Sequence, residues 1–227
     1  MTSIRHSIAL ALAHRHHAIA AGILGLLLAA CIPDSTLSID PFCADQDLVF
    51  DQRLVGEWRT NEKPNESAYF QWKFEAARDK AYRLITTEKT GRNGVKHAEF
   101  DAHLFELGAE WFLDLVPGDI RFAAEQDESI GMLIVPGHFL IRVLQFEPEL
   151  TLAFPDDRWL ESFLDAHPDA LAHRHDGERI ILIAATPELQ RFVTAHLAAG
   201  EMYGEIADAA TLRHVPAASP PPAPTPR

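Results

Sequence analysis

The side chains with chemical potential are histidines, acids and two cysteines. His173 and His175 flank Arg174 at strand spacing, so both imidazoles share one face and could meet a metal ion. The cation between them and the lack of a third assigned ligand argue instead for an exposed hairpin arm. His97, Glu99, Asp101 and His103 share one face of a strand whose other side is Ala98, Phe100, Ala102 and Leu104. A solvated sheet face explains that set more simply than a site. Cys43 sits in a proline-containing segment with no nearby basic partner, which makes it an incidental thiol. Nucleophile elbows, zinc-protease helices, C-x-x-C pairs, phosphate-binding glycine loops and dinucleotide fingerprints are absent from the sequence. No catalytic residue, metal site or cofactor is therefore assigned.

Charge narrows the partners. The formal net charge is −13 at pH 7, from 20 Lys and Arg against 33 Asp and Glu. The first 30 residues hold Arg5 and Arg15 and no acid, so the remainder carries 18 basic against 33 acidic side chains, or −15. Nucleic acid and anionic lipid repel such a body, so no nucleic-acid partner is expected. Any membrane attachment must use something other than a basic patch.

The N-terminus offers such a device. Residues 1–17 carry both arginines and four histidines, and Ala18 to Ala30 follow with 13 uncharged residues. A bilayer-spanning helix takes about 20 apolar residues and a signal-peptide core about 7 to 15, so this stretch fits the second. Its end, Leu28-Ala29-Ala30-Cys31, resembles the lipobox of bacterial lipoproteins. The resemblance implies a diacylglycerol on the Cys31 thiol, removal of residues 1–30 as signal peptide, and acylation, such as palmitate, of the new amino group. Ile32 rather than Asp follows the cysteine, which by the same resemblance favours the outer over the inner membrane. Each buried CH2 contributes about 0.8 kcal/mol, so two or three acyl chains would hold the protein firmly. With Cys31 lipidated, Cys43 is the only thiol left and no intramolecular disulfide can form.

Residues 31–46 read as a tether, with two prolines and little periodicity, and residues 215–227, with six prolines, as a disordered tail. The folded domain is then 47–214. Its dominant period is two, over Ala68–Phe74, Tyr82–Thr87, Ala98–Leu107, Glu110–Val116, His138–Glu147 and Leu150–Phe154. Turn signals at Asn93-Gly94, Leu107-Gly108, Pro148-Glu149 and Asp176-Gly177 separate the strands. Since no helix intervenes before residue 155, the strands form an antiparallel meander. Two helices follow. Asp156 caps one that carries Trp159, Leu160, Phe163 and Leu164 and stops before Pro168; Thr186 caps another that begins at Pro187 and ends at Gly200. Their apolar stripes are expected to dock on the outside or over the end of the sheet.

Arg53 to Arg59 reads RLVGEWR and opens the first strand. Gly56-Glu57-Trp58 resembles the G-x-W signature of lipocalins and the wider calycin barrels. The resemblance implies a mainly β, antiparallel up-and-down barrel in which Trp58 closes one end and an arginine from the last strand, Arg213 of TLRHV, stacks on its ring. Such a cation–π pair contributes about 0.5–2 kcal/mol. No counterpart of the family's middle TDY motif is present, and two helices exceed the single late helix of a lipocalin. The whole chain also resembles a group of bacterial lipoproteins with a D-x-x-L-x-G-x-W start, here residues 51–58, a likeness that implies architecture and no activity.

Arg121 to Gly137 joins two strands irregularly. As a lid it would place Ile130, Met132 and Leu133 at the barrel mouth; alternatively Met132–Val135 is another strand. The expected function is that of a lipid-anchored cell-envelope protein holding a small apolar ligand or lipid in its barrel. The alternative is a structural or protein-interaction lipoprotein whose barrel is filled by its own side chains.

Overall fold

Alternation of large apolar and charged side chains along the strands gives the chain one face to bury, and closing the sheet on itself buries it without leaving an edge. The computed structural model describes residues 36–60, 69–89, 95–118, 135–177, 179–198, 201–204 and 209–216. Its strands are β1 (Leu37–Ser38), β2 (Gly56–Thr60), β3 (Tyr69–Ala76), β4 (Ala81–Lys89), β5 (Val95–Leu107), β6 (Glu110–Pro117), β7 (Phe139–Gln145), β8 (Glu149–Ala153), β9 (His173–Asp176), β10 (Arg179–Leu182) and β11 (Ala210–Val215). Eight of them form a closed antiparallel barrel in the order β11-β2-β3-β4-β5-β6-β7-β8. The expected mainly β barrel with two helices in the C-terminal half is what the chain folds into. The helices are α1 (Asp157–Ala166) and α2 (Thr186–Ala195).

β3 shows how sequence sets the wall. Phe70, Trp72 and Phe74 point inward and are buried, while Lys73 and Glu75 face out. Trp72 is opposite Thr86 and Phe74 opposite Leu84 on β4, so the inward sets meet in register. A fully buried side chain of this size contributes about 1.5–3 kcal/mol. Leu104, Leu113, Ile141 and Leu152 complete the interior from the other strands.

A second core lies on the outside of the same wall. Phe105, Phe112 and Leu140 face away from the interior and are covered by Leu160 and Leu164 of α1, Leu189 and Phe192 of α2, and Phe42. The helices thus dock outside the barrel, as their stripes required. Asp156 caps α1 as expected, its carboxylate accepting from the N–H groups of Arg158 and Trp159 at 3.0 and 3.2 Å. The second cap is different: Ala185 precedes α2, and Thr186 lies inside the first turn with its hydroxyl donating to the Pro41 carbonyl at 2.7 Å. A carbonyl from the N-terminal segment takes the hydroxyl that would otherwise cap. α2 stops at Ala195, short of Gly200, which lies outside the described residues.

That segment corrects the expected tether. From Thr36 onward, residues 31–46 belong to the fold: β1 pairs in parallel with β10, which pairs antiparallel with β9, and Phe42 and Cys43 are buried. The exposed hairpin arm is found as expected, β9 pairing antiparallel with β10 and exposing Arg174, His175 and Asp176. His173 and His175 lie on the outer strand of a small sheet whose middle strand, β10, buries Ile180 and Leu182. Residues 1–30, Cys31, the Asn93-Gly94 turn and the tail beyond Pro216 lie outside the described residues.

Gly56 opens β2 at φ +138°, a conformation side chains rarely adopt, and a Cβ there would stand 2.6 Å from Nε2 of His214. Gly56→Ala is expected to cost about 1–3 kcal/mol, mainly as backbone strain, read as a lower urea midpoint at unchanged m-value. An unchanged midpoint would show that the strand start relaxes freely.

Candidate functional site

One end of the barrel is sealed. Asp51, Leu54, Gly56 and Trp58 make the seal together. The Trp58 indole N–H donates to the Leu54 carbonyl at 2.9 Å, and Leu54 is fully buried. The Tyr82 hydroxyl accepts from the Asp51 N–H at 2.6 Å and donates to the Asp51 carbonyl at 3.1 Å. The guanidinium of Arg53 lies over the Phe146 ring, 4.6 Å from its centroid.

The expected stacking of Arg213 on Trp58 is replaced by a different contact. Along β11 side chains alternate, and it is His214 that pairs with Trp58 while Arg213 pairs with Arg59. The His214 ring therefore meets Trp58 edge-on, centroids 5.0 Å apart, and Arg213 turns outward to Glu149 at 2.7 Å with 63% of its side chain exposed. The cation–π contact at this end comes from Arg53 on Phe146 rather than from the last strand.

Above the seal the interior is packed. Trp72, Tyr82, Leu84, Leu104, Leu113 and Leu152 each have 0% accessible surface. A side chain lining a void large enough for water keeps some accessible surface, so these positions have none beside them. Partly buried hydrophobics edge the interior at both ends, Val55 and Trp111 at the seal and Phe100, Phe139 and Phe154 away from it. Glu88 faces inward opposite Phe70 and is 8% exposed. Among the described residues the buried Trp72 indole N–H has no acceptor. Glu88 and the three phenylalanines thus edge the interior at the end away from the seal. Ile130, Met132 and Leu133, expected at the mouth, lie outside the described residues.

A cysteine, a histidine and an aspartate meet on the outer wall. Asp114 is fully buried and accepts from the Phe42 N–H at 3.0 Å; His138 Nδ1 lies 3.0 Å from both its oxygens, and Cys43 Sγ 3.9 Å from one. A nucleophilic triad needs the imidazole between thiol and acid. Here the carboxylate is the hub, and both other groups address it. Burial, and then the negative charges of Asp114, Asp47 and Asp45, push the Cys43 thiol up to about 12. Cys43 is thus a protonated thiol inside a clamp, and His138 reinforces it through paired backbone bonds with Ser38 at 3.0 and 2.8 Å.

The other sequence candidates are placed as follows. His173 and His175 do come together, ring centroids 5.4 Å apart, with Asp165 at 3.8 Å from His175. His97, Glu99 and Asp101 lie on an exposed outer face, where Glu99 pairs with Arg83. Among the described residues no group of three His, Cys, Asp or Glu is placed to hold a metal ion. Between α1 and α2, Trp159, Phe163 and Phe192 surround His196, whose Nδ1 lies 3.0 Å from Glu201. The helical stripes announced these residues separately, but not that one histidine joins them. A pocket of about 460 Å3 opens beside this group, lined by Asp169, Leu171, Arg191, Phe192 and His196.

Comparison with protein-family models, with curated proteins and with solved structures finds no match to this chain.

Removing the hub carboxylate leaves the Phe42 N–H without its partner under the wall. Asp114→Ala is expected to destabilise by about 1–3 kcal/mol and to speed hydrogen exchange at Phe42; exchange unchanged from wild type would show that the segment is held by packing alone. Cys43 titrates the same region. Its folded value lies above its ordinary 9.0, so its stabilising contribution is complete below pH 9 and is lost as pH rises from there towards about 12. Iodoacetamide should therefore label Cys43 slowly at pH 8 in the native protein and fast in urea. Equal rates in both states would mean the thiol is not shielded.

Proposed function

We propose that this chain is a lipid-anchored protein of the bacterial cell envelope, held at the outer membrane through Cys31, whose barrel is a filled scaffold for contacts with other envelope components. The observation that supports the scaffold reading is the packed interior, in which Trp72, Tyr82 and Leu84 have no accessible surface. Lipocalin-like barrels hold ligands in a space that these side chains occupy here. Anchoring rests on the lipobox-like Leu28-Ala29-Ala30-Cys31 and on the −15 body, whose net charge is repelled by anionic lipid.

A second reading has its own support. The inward Glu88 and the partly buried Phe100, Phe139 and Phe154 suit a small apolar ligand or lipid with a polar head at the end away from the seal.

Mass spectrometry of protein extracted in mild detergent tests both readings. A diacylglyceryl adduct on Cys31 and no other stoichiometric mass supports the scaffold; a co-purifying lipid supports the second reading. Cys31→Ala is expected to leave the membrane fraction or to stay unprocessed. Unchanged mass and fractionation would refute lipid anchoring.

A further inference from the structure

The small sheet has an apolar outer face that is partly exposed among the described residues. On β1 and β10, Leu37 is in register with Ile181 and Ser38 with Leu182. Ser38 and Leu182 are buried, so the alternate positions point the other way. The Ile39 N–H donates to the Leu182 carbonyl, which extends the parallel pairing to Ile39 beside Ile183. Leu37 and Ile181 are partly exposed, Ile39 is 42% exposed and Ile183 39%. Val135, 64% exposed, stands two residues from Gly137, against which Leu37 packs. On the same face, Arg174 is opposite Ile181 and exposed.

We infer that this face lies on the lipid surface of the membrane that anchors the chain, its aliphatic side chains among the acyl-chain ends of the headgroups. The inference rests on the anchoring at Cys31 proposed above. Five residue steps separate Cys31 from Thr36, so a lipid on Cys31 keeps Thr36 within about 18 Å of the interface. β1 begins at the next residue, and its face is therefore the first surface of the domain that the bilayer meets. A free tether would have let the barrel take any orientation. The clamp at Asp114 and the β1–β10 pairing remove that freedom and turn an aliphatic stripe edged by an arginine toward the lipid, where neutral apolar contact suits a body of −15 better than charge does.

The test uses lipidated full-length protein in a Cys43→Ala background, reconstituted into phosphatidylethanolamine vesicles with brominated acyl chains. Bimane is placed at Ile39→Cys, at Ile183→Cys and, as control, at Lys73→Cys on β3, four strands round the barrel from β7. Fluorescence at 39 and 183 should shift to the blue and be quenched several-fold more than at 73. Equal quenching at all three, with a lipid mass on Cys31, overturns the docked face and leaves the anchor standing. No lipid on Cys31 overturns both. Shielding of 39 and 183 that appears with rising concentration of the soluble Cys31→Ala protein means a second copy covers the face and overturns the inference. A photocrosslinker at 183 that captures protein in place of lipid in intact cells does the same.

Discussion

Closure of the barrel between its first and last strands is the constraint on which the other parts depend. β11 must lie against β2 with His214 beside Trp58, and the Trp58 indole is fixed in turn by the Leu54 carbonyl. A hydrogen bond of this kind contributes only about 0.5–1.5 kcal/mol net. Its importance is geometric, because it sets the angle at which the 52–54 turn folds under the barrel and brings Leu54 in as a plug. The D-x-x-L-x-G-x-W pattern can be read in those terms. Asp51 bonds Tyr82 and the Arg53 N–H, Leu54 fills and accepts, Gly56 takes a backbone angle and a clearance that a side chain would spoil, and Trp58 locks the seam.

With that end closed, the β5–β8 wall has two working faces. Inward it carries Leu113 and Ile141; outward it carries Phe112, Leu140 and Asp114. A strand buried on both sides cannot show clean alternation of apolar and polar residues, and β6 reads accordingly as four buried positions in a row. The acid among them is tolerable because it is multiply bonded, and those bonds hold the N-terminal segment.

Legibility followed locality. β3, β4, β5 and β6 were readable because their period-two signal is carried by neighbouring residues, and the Asp156 cap because its partners are two and three residues away. The turn at Asp79 and Lys80 left no trace, since both residues adopt positive φ without a glycine or asparagine to announce it. The folding of residues 36–46 was hidden for a different reason. Its bonds reach 72, 121, 145 and 148 residues along the chain, and such contacts have no local signature. For the seam the sequence supplied the strand but not its phase: Arg213 and His214 are adjacent, one must face inward, and an arginine suited the resemblance while the register selected the histidine.

The misread segment alters the physical sense of the whole chain more than any misread strand. A free linker over residues 31–46 would uncouple the domain from its N-terminus, so that position in sequence would say nothing about orientation. Once Thr36 bonds Asp157 and Phe42 bonds Asp114, the N-terminal entry point is as rigidly placed as the barrel itself. The acidic barrel surface and the aliphatic face of β1 and β10 then have fixed directions relative to that entry. A strongly negative domain held close to a membrane gains by turning its charges away and its few exposed aliphatic residues inward, and the geometry of residues 36–46 permits that arrangement without any further bending of the chain.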